Sequence, residues 1–122
     1  MKKLSEQSYA ELMSTIQQEV DKTESGQINA LAFDIHNPED IIEYLQRNNK
    51  KSILRCKEVN LCKDDFESTA TILLYYADAP QDKVYLDYIG NWGVTGGKLV
   101  WEDPTKVHPI EVKTIRWESV PW

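Results

Sequence analysis

A chain of 122 residues is the length of one ordinary domain, and at 41% hydrophobic it can bury a core without disulfides or metals. Twenty acidic residues against fourteen basic ones leave a net charge of −6. That balance disfavours nucleic acid and anionic membranes as partners and suits a basic protein.

The N-terminus, MKKLSEQSYAEL, turns polar straight after two lysines. It lacks the apolar centre of a signal peptide, and no later run approaches the length of a bilayer span. A cytoplasmic location is expected. Residues 5–21 carry Tyr9, Leu12, Met13, Ile16 and Val20 at helical spacing, which predicts an amphipathic helix ended by Ser25-Gly26. In 28–35, Leu31, Phe33 and Ile35 alternate and predict a strand, while the alanines leave a helical reading open. Asn37-Pro38-Glu39-Asp40 is a helix start, with a cap, a proline at the first helical position and two acids in the first turn. The helix it opens runs to about Arg47 and buries Ile41, Ile42 and Leu45.

From there the pattern is β. Strands are expected at 53–59, 66–76 and 83–89, the last two joined by a turn at Ala79-Pro80-Gln81-Asp82. Gly90-Asn91-Trp92-Gly93 reads as a break, 98–101 as a short strand, Asp103-Pro104-Thr105 as a loop, and 110–117 as the closing strand. The expected fold is a single α+β domain, 1–122: two N-terminal helices packed on a largely antiparallel, meander-like sheet of about five to six strands. Tyr9, Phe33, Tyr44 and Phe66 fit core-facing positions.

No catalytic signature accompanies these elements. Gly90, Gly93, Gly96 and Gly97 miss the spacing of a phosphate loop and read as hairpin turns. Cys56 and Cys62 are too far apart in sequence for a paired zinc motif, and His36 and His108 are isolated. Cys56 reads as a core residue and Cys62 as a loop residue, with no cofactor or metal expected. There is no nucleophile elbow to pair with either histidine. Asp34, Asp87 and Glu111 fall inside expected strands, where solvent-facing carboxylates are the simple explanation.

The densest signal lies between residues 64 and 87. Asp64, Asp65, Glu67, Asp78, Asp82 and Asp87 stand there against the single cation Lys83. Tyr75, Tyr76, Tyr85 and, just beyond, Tyr88 and Trp92 are interleaved with them. Acids with aromatic neighbours suit a surface that steers a basic partner and anchors it on Tyr75, Tyr85 and Trp92. Trp101 and Trp117 each sit directly beside acids, and Trp122 ends the sequence.

In size, acidity and aromatic content across its whole length, the chain resembles the small cytoplasmic immunity proteins of contact-dependent growth inhibition and related polymorphic toxin systems. The resemblance implies a compact, non-enzymatic protein, a monomer or weak dimer, that occludes a basic toxin domain of nuclease type. Two other readings fit the same elements. One is a cone-shaped small-molecule binder or isomerase of the nuclear-transport-factor-2 type, with Asp34 or Asp87 as a buried base beside a tyrosine. The other is an assembly subunit pairing through the edge strand at 110–117.

Overall fold

A computed structural model of the chain describes residues 2–23, 33–47, 52–63, 67–92, 99–110 and 116–122. Its elements are a 3₁₀ turn at Leu4–Glu6, helix α1 at Tyr9–Asp21, and helix α2 at Pro38–Ile42, which continues as a turn of π-helix over Glu43–Arg47. Six strands follow: β1 Leu54–Lys63, β2 Glu67–Tyr76, β3 Ala79–Trp92, β4 Leu99–Trp101, β5 Thr105–Ile110 and β6 Arg116–Ser119. They form one sheet in the order β1-β2-β3-β5-β6, with β4 also paired to β3, and every pairing is antiparallel. This is the expected α+β architecture. Among the described residues, no helix is long and apolar enough to cross a membrane.

Local chemistry explains the helix starts. Ser8 and Glu11 form a capping box: Ser8 Oγ accepts from the Glu11 N–H at 3.3 Å, and the Ser8 N–H donates back to the Glu11 carboxylate. The box fixes α1 to begin at Tyr9, so the residues before it, expected within the helix, form the separate 3₁₀ turn. Asn37 caps α2 through its side chain, which accepts from the Glu39 N–H at 2.9 Å, and Pro38 follows as expected.

The core lies between the helices and one face of the sheet. Leu12, Ile16, Val20, Ile41 and Leu45 meet Leu54, Ile72, Leu74, Leu86 and Tyr88, all essentially inaccessible. Each such side chain stabilises the fold by roughly 1.5–3 kcal/mol relative to exposure. Tyr44 belongs to this core, and Tyr9 and Phe33 pack on its margin, Phe33 edge-on to Tyr44 at 5.1 Å. Phe66 lies outside the described residues.

One carboxylate is built into the packing. Glu19 is only 5% exposed and accepts from Ser52 Oγ and Lys22 Nζ, both at 2.8 Å, and from the backbone N–H groups of Ile53 and Leu54. Burial pushes its pKa up, but Lys22, Ser52 and the Leu54 amide outweigh burial and hold it below the usual carboxylate value. Glu19 thereby fastens the end of α1 to the start of β1.

Several expectations are corrected. Residues 33–35 are not a strand, and 28–32 lie outside the described residues. The β2–β3 turn is made by Ala77 and Asp78, not by Ala79 to Asp82; Ala79 already pairs with Tyr76. Pro80 follows inside a register shift, where a missing N–H breaks no regular ladder bond. β3 runs on through Gly90 instead of breaking there. Gly90 is a glycine for close approach: a Cβ would sit 2.8 Å from Trp101 Cε3. The expected closing strand at 110–117 is two strands, β5 and β6, with 111–115 outside the described residues. Cys62 lies on β1, not in a loop, and Cys56 and Cys62 pair with β2 at Leu74 and Thr69. Six residues along one strand separate them by about 20 Å, too far for a bridge, and both are free.

Candidate functional site

Alternation along β2 and β3 decides which side chains meet the helices. Ala70, Ile72, Leu74 and Tyr76 on β2, with Val84, Leu86 and Tyr88 on β3, point into the core. The residues between them point to the other side, which no described helix covers. On that open face strand pairing makes a row: Lys57, Leu73, Tyr85, Val107 and Ser119, contributed by β1, β2, β3, β5 and β6 in turn. Beside it Arg55 faces Tyr75, and Pro109 faces Trp117.

Tyr85 and Trp117 stack at 5.1 Å between ring centroids, tilted by 49°, and Val107 beneath them is only 5% exposed. Two shallow depressions flank this cluster. One, of about 380 Å³, lies among Lys57, Glu58, Val59, Leu73, Tyr85 and Trp117. The other, of about 230 Å³, lies among Lys57, Leu73, Tyr75, Pro80 and Lys83. The face is therefore aromatic with a basic margin. Arg55 is the least free of its cations, since its guanidinium donates to the Ser52 carbonyl. Lys57 and Lys83 are exposed and form no ion pair among the described residues.

The residues expected to form one acidic surface are dispersed. Asp64 and Asp65 lie outside the described residues. Glu67 begins β2 and Asp78 lies in the turn just past its other end, both exposed; nine residues of strand put these ends about 30 Å apart. Asp82 serves the fold. Its carboxylate accepts from the Leu4 N–H at 2.7 Å, the Ser5 N–H at 3.2 Å and Ser5 Oγ at 2.8 Å. Burial raises its pKa, but the hydrogen bonds from Ser5 and Leu4, with Lys3 nearby, leave it lowered. Lys106 Nζ donates to the Ser5 carbonyl and fastens the same turn from β5. Asp87 is half-buried on the open face, one row beyond Tyr85, and accepts from Thr71 Oγ1 at 3.1 Å. Burial raises its pKa, and the Thr71 bond opposes the rise.

The aromatics separate as well. Tyr75 and Tyr85 come together on the open face. Tyr88 is fully buried, edge-on to Trp101 at 6.5 Å, and its hydroxyl has no hydrogen-bond partner among the described residues. Burial drives its pKa far up. Trp92 ends β3, and its side chain lies outside the described residues. Trp122 packs edge-on to Tyr9 at 5.3 Å.

Acidity concentrates instead on the helix side of β1. Glu39, Asp40 and Glu43 of the second helical segment and Glu58 of β1 line an open groove of about 310 Å³ with Ile42 and Leu61. Burial raises the pKa of Asp40; the Asp34 N–H, donating at 3.0 Å, opposes this, while the charges of Asp34, Glu43 and Glu39 push it further up. β1 is an edge strand, kinked by a register shift between Glu58 and Asn60 that leaves Val59 41% exposed. Glu58 borders both this groove and the larger aromatic depression.

The histidines take structural partners. His36 Nδ1 lies 3.1 Å from the Asp103 carboxylate and 3.4 Å from Tyr9 OH, and His108 Nε2 lies 3.6 Å from Glu118. Among the described residues, no cluster of His, Cys, Asp and Glu is arranged to hold a metal. Asp34, one candidate base of the cone-type reading, is exposed, and the other, Asp87, sits on the open face rather than within the core. No family model matches the chain, and neither a curated protein nor a solved structure matches it.

Proposed function

We propose that the chain is a cytoplasmic, immunity-type binding protein that neutralises a basic toxin domain by covering its active site. The observation that supports this reading is the groove between α2 and β1. Four carboxylates from two separate elements converge there on one concave surface, beside the edge strand of the described sheet. Crowding and burial hold Asp40 above its ordinary pKa. A cation of the partner seated in the groove relieves that repulsion and lowers the pKa of Asp40, so binding weakens as the pH falls through the carboxylate range. The net charge of −6 steers a basic domain toward the protein, and association slows with salt. The action is occlusion, with no chemical step.

The test is genetic. The upstream neighbouring reading frame is expressed alone, with this chain, and with the Asp40→Lys/Glu58→Lys variant. Arrested growth, rescue by the natural chain and failure of rescue by the variant are expected. Absence of toxicity sinks the immunity reading. Rescue by the variant as strong as by the natural chain removes the groove from it.

A further inference from the structure

We infer that the open sheet face binds single-stranded nucleic acid, seating successive bases against Tyr75 and against the Tyr85–Trp117 pair, with Lys57 and Lys83 on the phosphates. This goes beyond the proposed toxin binding and uses a different surface. The net charge argues against any polyanion, but net charge is a property of the whole chain, and this face departs from it. In the rows holding Tyr75 and Tyr85, the described charged residues are Arg55, Lys57 and Lys83. The carboxylates around these rows are Glu58, at the rim of the larger depression, Asp87, engaged by Thr71, Asp82, engaged by Leu4 and Ser5, and the exposed Asp78 in the turn beyond Tyr75.

The geometry selects a base-bearing ligand over an acidic peptide. Tyr75 and Tyr85 occupy adjacent strands at diagonal positions, since Tyr85 pairs with Leu73, which puts them about 7–8 Å apart. Each borders its own shallow depression, and Lys57 and Leu73 border both. Two aromatic-walled slots with a cation between them repeat the base–phosphate–base order of a single strand. The slots are open, and at about 230 and 380 Å³ they fall at or below the low end of small-molecule pockets, roughly 300–1,000 Å³. They suit a planar base laid on a ring. Aromatic stacking on a sheet face tolerates any base, so the recognition is for unpaired strands and not for sequence. Duplexes are excluded, because their bases cannot reach the rings and their charge needs a broad basic surface.

The test is fluorescence anisotropy of fluorescein-labelled decathymidylate with the full chain. Saturable binding is expected. With two lysines on phosphates, affinity falls only about sevenfold between 50 and 200 mM salt. Tyr75→Ala and Tyr85→Ala each weaken binding by about tenfold or more. Because Tyr85 supports Trp117, the Lys57→Glu/Lys83→Glu variant serves as the fold-neutral control: both lysines are exposed, thermal unfolding stays unchanged, and binding is lost. Absence of saturable binding overturns the inference, as does binding that survives the double lysine change. An abasic decamer binding as tightly as decathymidylate, or poly-L-glutamate displacing the probe as well as unlabelled strand does, also overturns it; the latter result assigns the face to an acidic protein.

Discussion

Leu73 and Leu74 are neighbours on β2, yet they belong to two different environments. Leu74 points under the helices and is fully buried; Leu73 points to the open face and borders both aromatic depressions. The same contrast runs through the sheet. The covered face is closed by aliphatic side chains from α1, α2 and the strands, with Glu19 held by four donors at its margin. The open face holds one small cluster of its own, Val107 under Tyr85 and Trp117, with Lys57 and Glu58 at its border. Alternate residues of one strand thus divide between a filled core and an open, aromatic surface. A covered face is selected for filled volume, whereas an open one is free to carry rings and charges that a partner completes.

The sharpest way to break this comparison is the leucine pair. Leu74→Ala creates a cavity in the core and is expected to cost about 2–5 kcal/mol, whereas Leu73→Ala is expected to cost about 1 kcal/mol or less in urea unfolding. Equal losses would make the open face a second core and not a docking surface. Glu19→Ala comes next, at about 2–3 kcal/mol, because it leaves the Ser52 hydroxyl and the strand amides without their acceptor. This contribution also has a pH signature. The folded pKa of Glu19 lies below its unfolded value, so its stabilisation is complete above the unfolded pKa, near 4.3, and is lost as the pH falls through the folded pKa. Glu19→Gln should therefore flatten the loss of stability between pH 7 and pH 3, and an unchanged slope would remove the clasp from the account. The smallest effect is Tyr88→Phe. Removing a buried hydroxyl that has no partner among the described residues is expected to leave stability unchanged or raise it by up to about 1 kcal/mol in thermal unfolding. A clear loss would show that the hydroxyl has a partner.

Much of the scaffold was legible in the sequence. The apolar stripe of α1 and the Asn37-Pro38 start of α2 are written in consecutive residues and appear where expected, and the strand expected at 66–76 is β2, Glu67–Tyr76. Glu19 was legible too, though overlooked: seven residues after Leu12, it falls on the buried stripe and not on the polar face. The turn before β3 was misplaced because Pro80 is a strong turn signal that here occupies a register shift. The candidate site was half legible. Tyr75 and Tyr85, expected as anchors together with Trp92, do share a surface. The acids counted around them do not, because a tally along the chain ignores which face each residue takes and how far apart strand ends lie.

The sequence by itself determined the α+β class, the apolar stripe of α1 and the start of α2, because capping and side-chain periodicity act over a few residues, and any strand has two sides. Only the tertiary structure decided what those sides carry. It drew Asp82 to Leu4 and Ser5, nearly eighty positions away, and so took it out of any binding surface. It set Arg55 and Lys57 of β1 beside Tyr75 and Leu73 of β2, giving a basic margin to a face that one acidic stretch of sequence had suggested would be negative. The physical reason is the same in both cases: strand register and helix docking are set by burial of the whole core, and they bring together charges whose positions in the chain carry no trace of their meeting.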